Sequence, residues 1–289
     1  MIDHPPTPKV ALSIAGSDPS GGAGIQADLK TFTALGVYGT AALAGLTVQN
    51  TQGVRAAQGV DAGFVRDQIV AVIDDLPVAA TKLGMLSNSA VASAVADLLE
   101  QRRDDFGVVV LDPVMVATSG DSLLEDEAVA VVRDRLVPLA DLITPNVPEA
   151  AVLLGEAPAS DSNAIIRQAR ALLGAGARAA LVKGGHLSEQ EMVDALAYGD
   201  DEIAMLTGPR IDTRNTHGTG CTLSSAIAAV AAKRGDTRAT GVRLPSVEQG
   251  RDYLMRALAS ASQWRLSRTP ETGHGPVNHM VGPAEELSW

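Results

Sequence analysis

Short apolar runs and helix-patterned stretches take turns along almost the whole of this chain, and few folds accept that order. Residues 9–15, 41–48, 80–85, 107–111, 141–144 and 178–183 read as strands. Gly107-Val-Val-Val-Leu is apolar without interruption, the pattern of a strand covered on both faces. Between these runs apolar residues return at helical spacing. Ile25, Leu29, Phe32 and Gly36 form one stripe. Phe64, Val65, Ile69, Val72, Ile73 and Leu76 form another, stopped by Pro77, and Val91, Val95, Leu98 and Leu99 a third, capped by Ser87-Asn-Ser. A helix is expected over 160–173, and a last one, through Tyr253, Leu254, Leu258 and Trp264, opens on Ser246-Val-Glu-Gln249, read as a capping box. Residues 191–198 and 202–206 are shorter and read as an antiparallel edge pair. The alternation carries no internal repeat or inter-domain linker. It predicts one three-layer α/β/α domain over 9–289 around a mostly parallel central sheet, after a mobile Pro-rich lead-in at 1–8. At 289 residues and 46% hydrophobic content the chain can bury a large core.

Polar residues interrupt this pattern at telling places. The turn Asp212-Thr-Arg-Asn-Thr-His-Gly-Thr-Gly-Cys-Thr runs straight into the apolar helix beginning Leu223-Ser-Ser-Ala-Ile. Gly218 and Gly220 allow a tight turn, so unpaired amides of the first helical turn face one way, and the helix dipole adds positive charge there. Such a turn suits a phosphate or a phosphoryl transition state. Cys221 sits at its mouth, where a lowered pKa is expected and the thiol would serve as a base or nucleophile. A second glycine-rich junction, Gly16-Ser-Asp-Pro-Ser-Gly-Gly-Ala-Gly, has P-loop-like spacing but is no Walker A motif, because Gly22-Ala23 stands where Lys-Ser/Thr is required. Asp28, in the helix after it, serves either the helix N-terminus or a ligand.

Gln49 and Asn50 follow the second apolar run, Asp112 follows the fourth, and Asn146 and Glu149 lie three apart on a turn that opens a helix. The last two suit either the waters of a bound Mg²⁺ or a helix cap. The chain has five lysines against eighteen arginines. Lys82 and Lys183 both fall in strand-like runs, each as a phosphate holder or a buried ion-pair partner. In open α/β sheets ligands bind at the carboxyl edge of the strands. So many polar residues along that edge point to a nucleotide-dependent transferase.

Charge and cysteine usage narrow the partners. A formal net charge of −11 argues against nucleic acid or an anionic membrane as the main partner. One cysteine excludes an internal disulfide and fits a reducing compartment. With no signal-like start and no apolar stretch long enough to span a bilayer, the reading is a cytoplasmic protein.

Taken together, Ala15-Gly-Ser-Asp-Pro-Ser-Gly-Gly-Ala-Gly-Ile-Gln-Ala-Asp28, Gln49-Asn-Thr, Lys82-Leu-Gly-Met-Leu, Asp112-Pro-Val-Met, Thr144-Pro-Asn-Val-Pro-Glu149, Lys183-Gly-Gly-His and Asn215-Thr-His-Gly-Thr-Gly-Cys221-Thr resemble the hydroxymethylpyrimidine/phosphomethylpyrimidine kinases of thiamine biosynthesis, within the ribokinase-like superfamily. The match runs in order from about Lys9 to His279. The resemblance implies a kinase that phosphorylates 4-amino-5-hydroxymethyl-2-methylpyrimidine and then its monophosphate, with ATP and Mg²⁺, as a homodimer. It implies that Gln49, Asp28 and Gly16 meet the pyrimidine, with Met85 and Val114 as apolar walls. Asp112 and Glu149 would hold the metal, and Lys183, Asn146 and Thr216 the nucleotide. Gly218, Thr219 and Gly220 would form the anion hole, and Cys221 would be the base, with His217 shaping the turn. Three rivals stay open: a pyridoxine or pyridoxal kinase, separable by substrate comparison; a cysteine hydrolase or acyltransferase pairing Cys221 with His217, needing neither Mg²⁺ nor ATP; and a nucleotide-binding module without turnover.

Overall fold

The computed structural model describes residues 7–115, 126–185 and 191–282. Most of the expected lead-in and His186 of the Lys183 turn lie outside them. The apolar runs become strands of one sheet: β1 (Val10–Ser17), β2 (Tyr38–Asn50), β3 (Gly53–Gly59), β4 (Val78–Leu83), β5 (Val108–Leu111), β6 (Leu142–Ile143), β7 (Ala179–Lys183), β8 (Glu191–Tyr198) and β9 (Glu202–Pro209). Their order is β3-β2-β1-β4-β5-β6-β7-β8-β9. From β2 to β7 all neighbours are parallel. β8 and β9 form the expected antiparallel edge.

Side chains alternate between two helical layers, as a strand's period of two dictates. Val109, Leu111 and Val182 pack with α2 (Ala62–Asp75), α3 (Ser89–Arg102), α6 (Val147–Leu154), α7 (Ser162–Gly174) and the stretch α4 (Asp126–Val131), which passes through a π turn into α5 (Val137–Leu139). Val108, Val110 and Leu181 pack with α1 (Gly24–Ala34), α8 (Thr219–Arg234) and α9 (Leu244–Ala261). The architecture is therefore a three-layer α/β/α sandwich. In α8 every residue of 222–232 is buried, so this helix has no solvent face. Its alanines permit close approach. A Cβ added at Gly250 of α9 would stand 2.6 Å from Ile227 Cγ1 and 2.8 Å from its backbone nitrogen.

Three details differ from the expectations. β3 is an exposed antiparallel strand paired to β2 that carries no apolar pattern, and β2 runs on to Asn50, so Gln49 lies within a strand and not beyond its end. The last helix starts at Leu244 with Arg243 as its N-cap. Ser246 does not cap it, because its hydroxyl donates to Asp236 at 2.6 Å across the preceding loop. That loop follows the carboxyl end of α8, a helix of 16 residues, so about 24 Å separates it from the glycine turn at the other end. It cannot close over that turn. Among the described residues no helix is long and apolar enough to cross a membrane.

Candidate functional site

The strand order changes direction between β1 and β4, and a crevice at the carboxyl ends of the strands belongs there. The two glycine-rich turns meet at this point. Gly218 is the N-cap of α8 with φ at +80°, and a Cβ on it would fall 1.8 Å from the Gly22 carbonyl oxygen, so only glycine lets the turns touch. Asp18 knots them together. Its carboxylate accepts from the amides of Ser20 (2.8 Å), Gly22 (3.1 Å) and Ala23 (2.9 Å) and lies 2.7 Å from His217 Nε2. Burial alone would raise the Asp18 pKa, but hydrogen bonds from His217 and Ser20 outweigh it and hold the carboxyl down at about 2. The tail folds back as a third support, with the His217 amide donating to the Gly275 carbonyl (3.0 Å) and the His274 amide to Thr51 (2.8 Å).

These supports frame a cleft of about 560 Å³, a size that suits a small organic ligand. On its walls lie Gly16 and Met85. Met85 Cε stands 2.3 Å from where a Cβ on Gly16 would be, so the thioether occupies the space that glycine leaves. Gln49 is half-buried and oriented by Thr47, whose hydroxyl donates to its carbonyl at 3.1 Å. Val114 adds an apolar wall, and Thr216, Thr219 and Gly220 line the mouth of α8.

A charged group occupies another part of the cleft. Lys183 Nζ donates to Asp112 Oδ1 at 3.2 Å, and Thr144 and Ser224 also donate to that carboxylate. Burial pulls the Lys183 pKa down, but Asp112 and Glu149 outweigh it and keep the ammonium charged. Asn146 and Glu149 form a reciprocal capping box at the start of α6, both bonds at 2.8 Å, and both side chains still line the cleft. Burial pushes the Glu149 carboxyl up to about 7; Asp112 adds to the rise and Lys183 opposes it. Two carboxylates that oppose each other's charge, one resisting ionisation, are a donor set that a divalent cation would relieve. Among the described residues no group of three His, Cys, Asp or Glu gathers for a metal. The pair therefore fits an Mg²⁺ that keeps water and phosphate oxygens as most of its ligands.

Cys221 is half-buried, and its thiol accepts from the Gly24 amide at the first turn of α1. Its expected low pKa is not found. Burial pushes the thiol up to about 11; Lys82 pulls downward, but Asp28 and Asp112 add to the rise. Loss of water outweighs the helix terminus. Asp28 also departs from expectation. It is fully buried, off the cleft wall, with its oxygens taken by Ser13 (2.6 Å), Ser225 (2.6 Å) and Lys82 (2.8 and 2.9 Å). Lys82 is fully buried too, an ion-pair partner and not a phosphate holder. Of the site residues that the resemblance implies, the cleft gathers every one except Asp28; Lys82 and Asn50, also singled out in the sequence, lie off it.

Sequence reading missed Asp18, although an Asp two residues before Ser20 in a turn is the signature of a side chain bonding its own loop. It also missed Arg210, Ile211, Thr213, Leu254 and Leu258, which extend the cleft beyond the mouth of α8. The last two had been read only as core positions of a helix. His217 directs Nε2 at Asp18 and, at 3.4 Å, at Gln49, while the thiol of Cys221 takes the Gly24 amide. This is not the arrangement of a Cys-His nucleophile pair.

Comparison with known proteins places the chain among kinases of one fold. The family profile described as phosphomethylpyrimidine kinase matches residues 18–278. A hydroxymethylpyrimidine/phosphomethylpyrimidine kinase of Rhizobium meliloti is 50% identical over 273 residues, 94% of this chain and 97% of that one. Among solved structures, an ADP complex of Bacillus subtilis pyridoxal kinase superposes with a TM-score of 0.83 at 32% identity, covering 95% of this chain and 98% of the other. The phosphomethylpyrimidine kinase of Clostridium difficile gives a TM-score of 0.73 at 37% identity over 86% of this chain and 99% of the other.

Proposed function

The chain belongs to the phosphomethylpyrimidine kinase family, and from that membership we infer that it transfers phosphoryl groups from ATP in thiamine biosynthesis. The first acceptor is the hydroxymethyl oxygen of 4-amino-5-hydroxymethyl-2-methylpyrimidine and the second is the resulting monophosphate. The observation that carries the reading is the convergence, in one cleft, of the glycine-capped N-terminus of α8 with Lys183, Asp112 and Glu149.

In this reading Gln49 meets the pyrimidine edge, and Gly16, Met85 and Val114 enclose its ring. Lys183, Asn146 and Thr216 hold the nucleotide. The amides of Gly218, Thr219 and Gly220 face the equatorial oxygens of the phosphoryl group in flight, where charge is spread in the transition state. Asp112 and Glu149 would hold Mg²⁺, which supplies positive charge on the phosphate oxygens when bound. The Cys221 thiolate takes the carbinol proton as the oxygen bonds to the γ-phosphorus, while the bond to the β,γ-bridging oxygen breaks and ADP leaves. A base of raised pKa is scarce in its ionised form at neutral pH but accepts a proton strongly once formed. The monophosphate is already anionic and needs charge screening, not a base. Tyr38, Leu46 and Val48, exposed along β2, support the homodimer that the resemblance implies. Use of ATP supports the cytoplasm as its compartment.

Pyridoxal kinase activity is the second reading, favoured by the fold's agreement with the Bacillus subtilis enzyme. The two are separated by incubating the protein with MgATP and either hydroxymethylpyrimidine or pyridoxine and following products by mass spectrometry. A pyrimidine monophosphate followed by a diphosphate, faster than any pyridoxine phosphate, is the expected result. A preference for pyridoxine would move the assignment to a vitamin B6 kinase.

A further inference from the structure

Behind the thiol of Cys221 lies a charged pair that the kinase reading does not use. Helices α1 and α8 lie side by side, and their first two turns match. Gly24 meets Cys221, and one turn further on Asp28 meets Ser225, the residue four after Cys221, at 2.6 Å. Asp28 therefore lies one turn beneath the thiol on the same face of α8. There it clamps Lys82 of β4 with both oxygens, at 2.8 and 2.9 Å, while Ser13 of β1 donates to it at 2.6 Å. Both side chains are fully excluded from solvent. The approach to Lys82 is tight as well. A Cβ on Gly84 would stand 2.8 Å from its Nζ.

Stability alone gives little reason for such a pair. Buried ion pairs lose hydration that their attraction scarcely restores, and apolar replacements of similar volume often do as well. We propose that Lys82, held by Asp28, Ser13 and Ser225, is the fixed positive charge beneath Cys221 that favours the thiolate before it takes the substrate's proton and becomes the thiol. Lys82 and Asp28 are positioning residues here. They touch neither acceptor nor nucleotide, and act through the sulfur. Cys221 also feels Asp112, beyond β5, and Lys183 of β7. It is Gly220, however, that faces those two, with an added Cβ 3.2 Å from Asp112 Oδ2 and 3.4 Å from Lys183 Nζ. Lys82 and Asp28 thus form the charge environment from below, with opposite signs. Lys82 favours the thiolate and Asp28 opposes it.

The opposite signs make the proposal testable. With one cysteine in the chain, the ultraviolet absorbance of the thiolate, read against Cys221→Ala, titrates this group alone. Asp28→Asn should lower the titration midpoint and Lys82→Met should raise it. Midpoints that stay in place, or that move the same way, would show that these charges do not govern the thiol and would overturn the proposal. Either single variant leaves a buried group without its partner and risks misfolding, so the double variant Asp28→Leu/Lys82→Met provides the second measurement. It should fold, keep the KM for the pyrimidine, and lose roughly tenfold or more in kcat for the first phosphorylation while the second changes little. An unchanged kcat in a folded double variant would also overturn the proposal. The inference rests on the kinase reading for its kinetic arm only. A wild-type protein without pyrimidine kinase activity would defeat that reading and leave the titration result to stand or fall by itself.

Discussion

A thiol pushed up to about 11 keeps its proton at neutral pH, so Cys221 should react slowly with alkylating reagents in the free protein. Its part in catalysis should show in the acceptor that needs a base. Cys221→Ala is expected to slow phosphorylation of the hydroxymethyl group by roughly 10²–10⁴-fold, the usual yield of general base catalysis, and to slow phosphorylation of the monophosphate far less. Single-turnover rates with each acceptor measure the difference, and equal losses would assign the thiol a structural part. The position of Cys221 was legible in the sequence, because two glycines and an apolar helix announce a helix mouth. The sign of its pKa shift was not. That sign depends on how much water is lost around the sulfur, and on Asp28 and Asp112, which come from α1 and from the end of β5 and approach it only through the fold. Asp28 misled for the same reason. A carboxylate just inside a helix reads the same whether it faces a ligand or a lysine from the neighbouring strand.

At the scale of elements, α8 carries the glycine-capped turn at its N-terminus and is held in place by packing on every side. Its height against the sheet decides where the amides of Gly218, Thr219 and Gly220 point. Gly250 is where α9 presses on it, so Gly250→Ala should force the helices apart and destabilise the protein by about 1–3 kcal/mol, the usual range for overpacking. The shift in urea midpoint at constant slope reads that loss. Most elements could be read in advance because burial on two faces writes a continuous apolar run, as in β5, and a helix against a sheet writes a stripe, as in α2. β3 could not. It is exposed and made largely of Gly, Ala, Arg and Gln, and only its pairing to β2 makes it a strand. The start of α9 was misplaced because the pattern of a capping box does not reveal that Ser246 has a partner ten residues back.

Across the whole molecule, the last described segment braces the site. His279 is buried, lies 3.0 Å from the Thr222 hydroxyl through Nε2, and accepts at its carbonyl from Tyr253 of α9. Burial, with Lys30 and His217 adding to it, pulls its pKa down to about 4. The unfolded chain takes up this proton near pH 6.5 and the folded one only near 4, so the stability it contributes is complete above 6.5 and is lost as pH falls to 4. The loss is about 2–3 kcal/mol by pH 4.5. Glu149, pushed up to about 7, moves stability the opposite way over the same range, so the His279 part is read by difference: His279→Gln should raise the urea midpoint at pH 4.5, relative to its value at pH 7, above that of the unaltered protein. Asp18, held at about 2, contributes stability that is lost only below about 3.8, outside that window. The tail also has a consequence in time. Gly275 and His279 grip the turn at His217 and the helix at Thr222, yet they leave the ribosome roughly sixty residues after that turn. At about 5–20 residues per second, a nascent chain spends several seconds with the turn at His217 synthesised but unbraced, and the cleft gains this support only as Gly275 to His279 emerge.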